Sequence, residues 1–184
     1  MQKSSPYLDW NRRFHASGRR AAYREACAKV AELRRMAADG SETAALLAKI
    51  GEIEELIEIC LEHSKSAMFG FRSGLRRSFG EDPAHGVLRE EELLQTLLEE
   101  KREAFALTRR HLLATVELER YADHLDQLRV SGGGALAKNL AAVRKMRKIA
   151  KKKFRDFLDS QAEREKLAET LFERIGTLQP HENP

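Results

Sequence analysis

Leu125 to Leu140, LDQLRVSGGGALAKNL, sets three consecutive glycines between two long stretches of helical character. Glycine in a helix interior costs roughly 1 kcal/mol relative to alanine, so three in a row end one helix and allow a sharp reversal. A connection as short as Ser131–Gly134 leaves its flanking segments side by side and antiparallel. On the N-terminal side the segment offers Leu94, Leu97, Leu98, Phe105, Leu112, Val116, Leu118, Ala122 and Leu125, most of them three, four or seven residues apart. On the C-terminal side the same spacing joins Leu140, Val143, Ala150, Phe154, Phe157, Ala168, Leu171 and Ile175. Helices over 87–129 and 135–176 are predicted, each roughly 60 Å long at 1.5 Å per residue.

Upstream, Asp39-Gly40-Ser41 reads as a helix stop and restart, with Gly40 in the left-handed conformation and the Ser41 hydroxyl as N-cap. The preceding segment, 6–38, places Tyr23, Cys27, Val30 and Leu33 on one side, after Trp10, Phe14 and an interruption at Ser17-Gly18. The following segment, 42–73, carries Leu46, Ile50, Ile53, Ile57, Cys60, Ser64, Ala67 and Phe71 on one face, widened by Leu47, Leu56 and Leu61. A face that broad fits a helix touching two neighbours. Between the two pairs, Phe69 to Gly86 holds four glycines and Pro83 and is expected to be a loop.

These readings make the chain a single all-α domain, an elongated antiparallel bundle of about four helices. Residues 1–86 form a shorter helix pair and a Gly/Phe/Arg loop, 87–177 a long coiled-coil-like hairpin, and 178–184 a tail. Composition agrees. Of 184 residues, 34% are charged, 42% apolar and 7% aromatic, with Ala, Leu, Glu, Lys and Arg abundant. The first residues contain no apolar signal-like run, and no apolar segment approaches the roughly 18 residues of a membrane span. Two cysteines make no disulfide framework. A cytoplasmic setting is expected.

The net charge of +4 conceals a mosaic. Residues 131–160 carry nine basic residues against Asp156 and Asp159, whereas 37–70 are strongly acidic. Folding the hairpin about Gly133 yields a basic end at the turn. At the other end Glu163, Glu165, Glu169 and Glu173 face Glu90, Glu91, Glu92, Glu99, Glu100 and Glu103. Arginines of the first segment, among them Arg12, Arg13, Arg19, Arg20, Arg24, Arg34 and Arg35, are available to cover that acidic end.

The richest basic stretch is VRKMRKIAKKKFRDF, Val143 to Phe157. At 100° per residue Val143, Met146, Ala150, Phe154 and Phe157 share one arc, with Ile149 at its margin, and are expected in the core. Arg144, Lys145, Lys148, Lys151, Lys152 and Arg155 fill the opposite arc. Solvated helix faces usually mix charges at i,i+4, and this one does not for three turns. The stripe is therefore either the solvated side of a packed helix or a site for an acidic protein surface, with phosphate contacts to nucleic acid as the alternative binding role. Membrane binding fits poorly, because the apolar side is needed in the bundle. A second candidate is the loop group Phe69, Phe71, Arg72, Arg76, Arg77 and Phe79: an arginine–aromatic docking patch, or, on the simpler reading favoured here, phenylalanines capping the core.

Catalytic and metal motifs are weak. Cys60 and His63 stand at i,i+3, with Cys27 as a possible third ligand, but no ligand set of zinc spacing occurs and core cysteines explain them better. Glu81 and His85 lack the Glu-x-x-His spacing of di-iron bundles. Glu117, Tyr121 and His124 share one side of a helix without further support. His111, between Thr108 and Thr115, fits an interior or interface histidine. SGGG lacks the Gly-Lys-Ser/Thr ending of a phosphate loop. No catalytic residue, metal or cofactor is assigned. The expected function is that of a non-enzymatic interaction protein, adaptor or accessory subunit able to self-associate, with a metal-dependent enzyme in the bundle core a distant alternative.

Overall fold

A computed structural model describes the backbone of residues 6–75, 83–129 and 134–178 and the side chains of 14–69, 88–128 and 138–176. Four helices make up the described chain: α1 (Pro6–Asp39), α2 (Thr43–Leu75), α3 (Pro83–Arg129) and α4 (Gly134–Leu178). Each lies within a few residues of its predicted limits, and the expected loop from Phe69 to Gly86 is shorter at both ends. There α2 continues through Gly70 and Gly74, and α3 starts at Pro83 rather than 87. Pro83 suits a first helical turn, where its missing N–H has no intrahelical role. The glycines weaken a helix by about 1 kcal/mol each without forbidding it.

Gly40 adopts φ +77° and ends α1. The Ser41 backbone N–H donates to the Met36 carbonyl at 3.0 Å, the long-range bond of a Schellman turn. Ser41 is therefore not the N-cap of α2. Glu42 holds that position, and its carbonyl accepts the first helical bond from Leu46 at 3.2 Å.

Sequential helices pack side by side, and α1 also meets α4, closing a ring of antiparallel neighbours. The backbones of the diagonal pairs, α1 with α3 and α2 with α4, do not approach one another among the described residues. The α2 face lies inward as predicted: Leu46, Ile50, Ile53, Ile57, Cys60, Ser64 and Ala67 are all buried. It meets Tyr23, Val30 and Leu33 from α1, Leu94, Leu98, Phe105 and Leu112 from α3, and Phe154, Leu158, Ala168, Leu171, Phe172 and Ile175 from α4. Burying each large apolar side chain contributes about 1.5–3 kcal/mol, and this layer is the bulk of the core.

The α1–α2 turn stops short of the far end of α3–α4. The Thr43 hydroxyl reaches Glu119 at 3.4 Å. Beyond that level a separate small cluster, Ala122, Leu125, Leu140 and Val143 with Leu118 packed against it, belongs to α3 and α4 alone. About ten residues of α3 project, or about 15 Å.

Candidate interaction site on helix α4

Phe154 and Leu158, both buried, fix the rotation of α4 about its axis. Its lateral position is set from α1, where the Arg34 guanidinium donates to the Leu158 carbonyl at 2.8 Å. With the helix so oriented, Arg144, Lys145, Lys148, Lys151, Lys152 and Arg155 are all exposed. Arg144 reaches Asp126 at 3.1 Å. The other five make no ion pair or side-chain hydrogen bond among the described residues. The neighbouring Arg147, on the flank, pairs with Glu119 at 2.8 Å.

Elsewhere several cations at the helix seams meet a carboxylate on the next helix, while the exposed Arg35, Lys65, Arg89, Arg110 and Lys166 make no ion pair among the described residues. Arg102 pairs with Glu58, Arg109 with Glu54 and Arg164 with Glu100. At the acidic end, Arg20 and Arg24 of α1 both reach Glu169, and Arg174 reaches Glu90. The acidic end is thus partly neutralised in cis, one of the two routes the charge pattern left open. The stripe at the basic end is not.

No family model, curated protein or solved structure matches the chain.

The apolar arc of α4 differs from expectation. Val143 and Phe154 are buried and Ala150 and Phe157 partly so, but Met146 is 54% exposed and Ile149 47%. Both line a groove of about 510 Å³ that runs between α3 and α4. Its α3 wall is Leu107, His111 and Leu118, its α4 wall Met146, Ile149 and Lys153, and no residue of α1 or α2 contributes. His111 is therefore exposed on a groove wall rather than interior. The buried positions beside it are Thr108 and Thr115, whose hydroxyls donate to the carbonyls of Ala104 and His111 at 2.8 and 2.9 Å. Small residues Ala104, Ala114 and Ala150 open the trough between the larger walls.

Of the α2–α3 loop group, Phe69 is 74% exposed, so it does not cap the core as expected. Its neighbours Ala67 and Met68 take the inward phase of the helix instead. Phe71, Arg72, Arg76, Arg77 and Phe79 lie outside the residues whose side chains are described, as do Glu81 and His85.

The interior holds polar groups that periodicity does not announce by residue type. Arg19 of α1 and Glu91 of α3, both buried, form a two-pronged ion pair across the bundle diagonal, with Arg19 Nη2 donating to Glu91 Oε1 at 3.0 Å. Arg19 also reaches the Ser64 hydroxyl at 3.4 Å. Lys101, buried on α3, pairs with Glu165 at 3.2 Å and lies 5.4 Å from the centre of the Tyr23 ring. The signal for both lies in register rather than chemistry: Glu91 and Lys101 continue the alternating steps of Leu94, Leu98 and Phe105.

The thiols are core groups. Cys60 Sγ lies 3.6 Å from the Arg19 carbonyl, and burial pushes its pKa up to about 12. Burial likewise raises Cys27 to about 11, against the opposing charge of Lys101. His63 turns not to Cys60 but to His15 on α1, with their Nδ1 atoms 2.9 Å apart. Burial, then the neighbouring His15, lowers the His63 pKa. Gly18 makes room for that ring, since a Cβ there would stand 2.8 Å from His63 Cε1 and Nε2. Folding α1 onto α2 about Gly40 would have paired these histidines from the sequence. Glu117, Tyr121 and His124 are exposed, and Glu117 pairs with Arg120 at 3.1 Å. Among the described residues no three His, Cys, Asp or Glu side chains converge to hold a metal ion, and no helix is long and apolar enough to cross a membrane.

Proposed function

We propose that this protein is a non-enzymatic interaction protein whose α4 stripe docks an acidic surface of a protein partner. The observation that carries the reading is the run Lys145, Lys148, Lys151, Lys152 and Arg155, exposed along one face of one helix and without carboxylate partners among the described residues, in a bundle that pairs many of its seam cations. Like charges held along one face repel each other, and an acidic partner relieves that repulsion. The interior supports the same class of function. Its buried charges are already matched, Arg19 to Glu91 and Lys101 to Glu165, and its thiols are held protonated by burial.

A protein partner is favoured over nucleic acid by what borders the stripe. Met146 and Ile149 are exposed apolar groups, whereas base stacking would call for aromatic rings on that face. The test is a fluorescence titration with labelled polyglutamate and with duplex and single-stranded oligonucleotides at several salt concentrations. Polyglutamate should bind at low salt, and Lys151→Glu, Lys152→Glu and Arg155→Glu together should weaken it at least about tenfold. Oligonucleotide binding that is tighter and steeper in salt would reassign the stripe to phosphates. No binding by any probe at low salt would remove the reading.

A further inference from the structure

An apolar trough on a helix pair asks for a third helix. The groove between α3 and α4 exposes Leu107, Met146 and Ile149 by about half each, on one continuous surface rather than scattered. Apolar exposure gathered in one groove and rimmed by charged residues has the form that receives an amphipathic helix. From Ala104 to Leu118 the α3 wall is about 21 Å long, which matches about four turns of a helix.

The rim chooses the occupant. Lys153 lies within the lining and stands at i+4 from Ile149. Lys145 and Lys152, at i−4 and i+3 from Ile149, place two more cations on the same edge, with Lys148 one step outward. None has a carboxylate partner among the described residues. Asp156 is the exception on this edge, and it sits at the end remote from the hairpin turn. We infer that the groove seats an amphipathic helix of a partner protein. Its apolar stripe fills the trough, and its flanking Glu or Asp residues face Lys145, Lys152 and Lys153. This rests on the stripe being a site for an acidic protein, and it adds that the partner segment is helical and enters apolar face first. A second copy of the chain fits less well. The outer edge of α3 offers Glu103, Arg110 and Glu117, nearly balanced charges that would leave the lysines uncompensated.

The experiment uses two labelled peptides of one composition, each about four turns long and rich in Leu and Glu. In the first the leucines share one helical face; in the second they are scrambled. Fluorescence anisotropy is read against the full chain, against Met146→Ser/Ile149→Ser, against Leu107→Ser on the opposite wall, and against Lys151→Glu/Lys152→Glu/Arg155→Glu. All groove substitutions are at exposed positions, and circular dichroism confirms that helicity is retained. The amphipathic peptide should bind at least about tenfold more tightly than the scrambled one, and each groove variant should remove that advantage while leaving the scrambled peptide unchanged. Equal binding of both peptides, insensitive to the serine variants but lost on charge reversal, would overturn the groove assignment and leave the basic stripe standing. Binding of neither peptide at low salt would overturn both. A dimeric mass by light scattering that reverts to monomer in Met146→Ser/Ile149→Ser would give the groove to a second copy and also overturn the inference.

Discussion

Arg19 and Glu91 show how a single buried pair can connect helices whose backbones never meet. Both side chains are withdrawn from water, which costs several kcal/mol per ion, and their mutual bonds, the Ser64 hydroxyl and the Phe172 ring 5.4 Å from the guanidinium offset it. Removing one partner therefore does more harm than removing both. Glu91→Leu alone strands a buried guanidinium and should cost about 3–5 kcal/mol, whereas Arg19→Met with Glu91→Leu should return to near wild-type stability or exceed it. Chemical denaturation of the three variants measures this directly. A loss under about 1 kcal/mol for Glu91→Leu would mean that water reaches the pair in solution. On composition alone Arg19 reads as a surface cation covering an acidic end. It does meet that end, but from inside, because position 19 lies one turn before Tyr23 on the inward face of α1.

At the scale of one element, glycine has opposite meanings in α2 and in the turn before it. Gly40 holds φ +77°, a conformation that costs an L-residue roughly 1–2 kcal/mol, so Gly40→Ala should destabilise by about 1 kcal/mol although its Cβ would touch nothing. Gly51, inside α2, is also open around its Cβ position, and Gly51→Ala should stabilise by about 0.5–1 kcal/mol through helix propensity. Thermal unfolding of the two variants should move in opposite directions, and a parallel shift would refute the backbone argument. The stop at Gly40 was legible because only backbone chemistry decides it. The inward face of α2 was legible because two neighbours cover a wide arc, so small errors of phase do not matter. Met146, and His111 on its interior reading, were misplaced for the converse reason. Their helices share a narrow seam at that level, and a wheel drawn for one helix does not say which flank its neighbour leaves bare. The break between α2 and α3 is present but shorter than the Phe69–Gly86 loop expected, since about 1 kcal/mol per glycine does not outweigh the continuation of a helix already packed at Ala67 and Met68.

Across the whole molecule, stability and charge are distributed unevenly and in the same direction. Where four helices overlap, fully buried Phe105, Leu98, Ile57 and Leu158 share one core, and cross-helix ion pairs such as Arg20–Glu169 and Arg164–Glu100 line its surface. Past Thr43 only two helices remain, joined by Ala122, Leu125, Leu140 and Val143, beside Lys138 and Lys145, which have no carboxylate partner among the described residues. Fewer buried apolar groups and unrelieved repulsion both lower the free energy of local opening there. Hydrogen exchange should find the amides of 122–128 and 138–146 protected at least about tenfold less than those of 94–105 and 154–168. The gradient should narrow as salt screens the lysines, because repulsion between exposed charges fades over a Debye length of about 8–10 Å at physiological salt. Equal protection along the whole of α3 would mean that the projecting end is covered in solution. Lower protection there, narrowed by salt, would instead mark an end that an acidic partner docking on the adjoining lysine edge would also order.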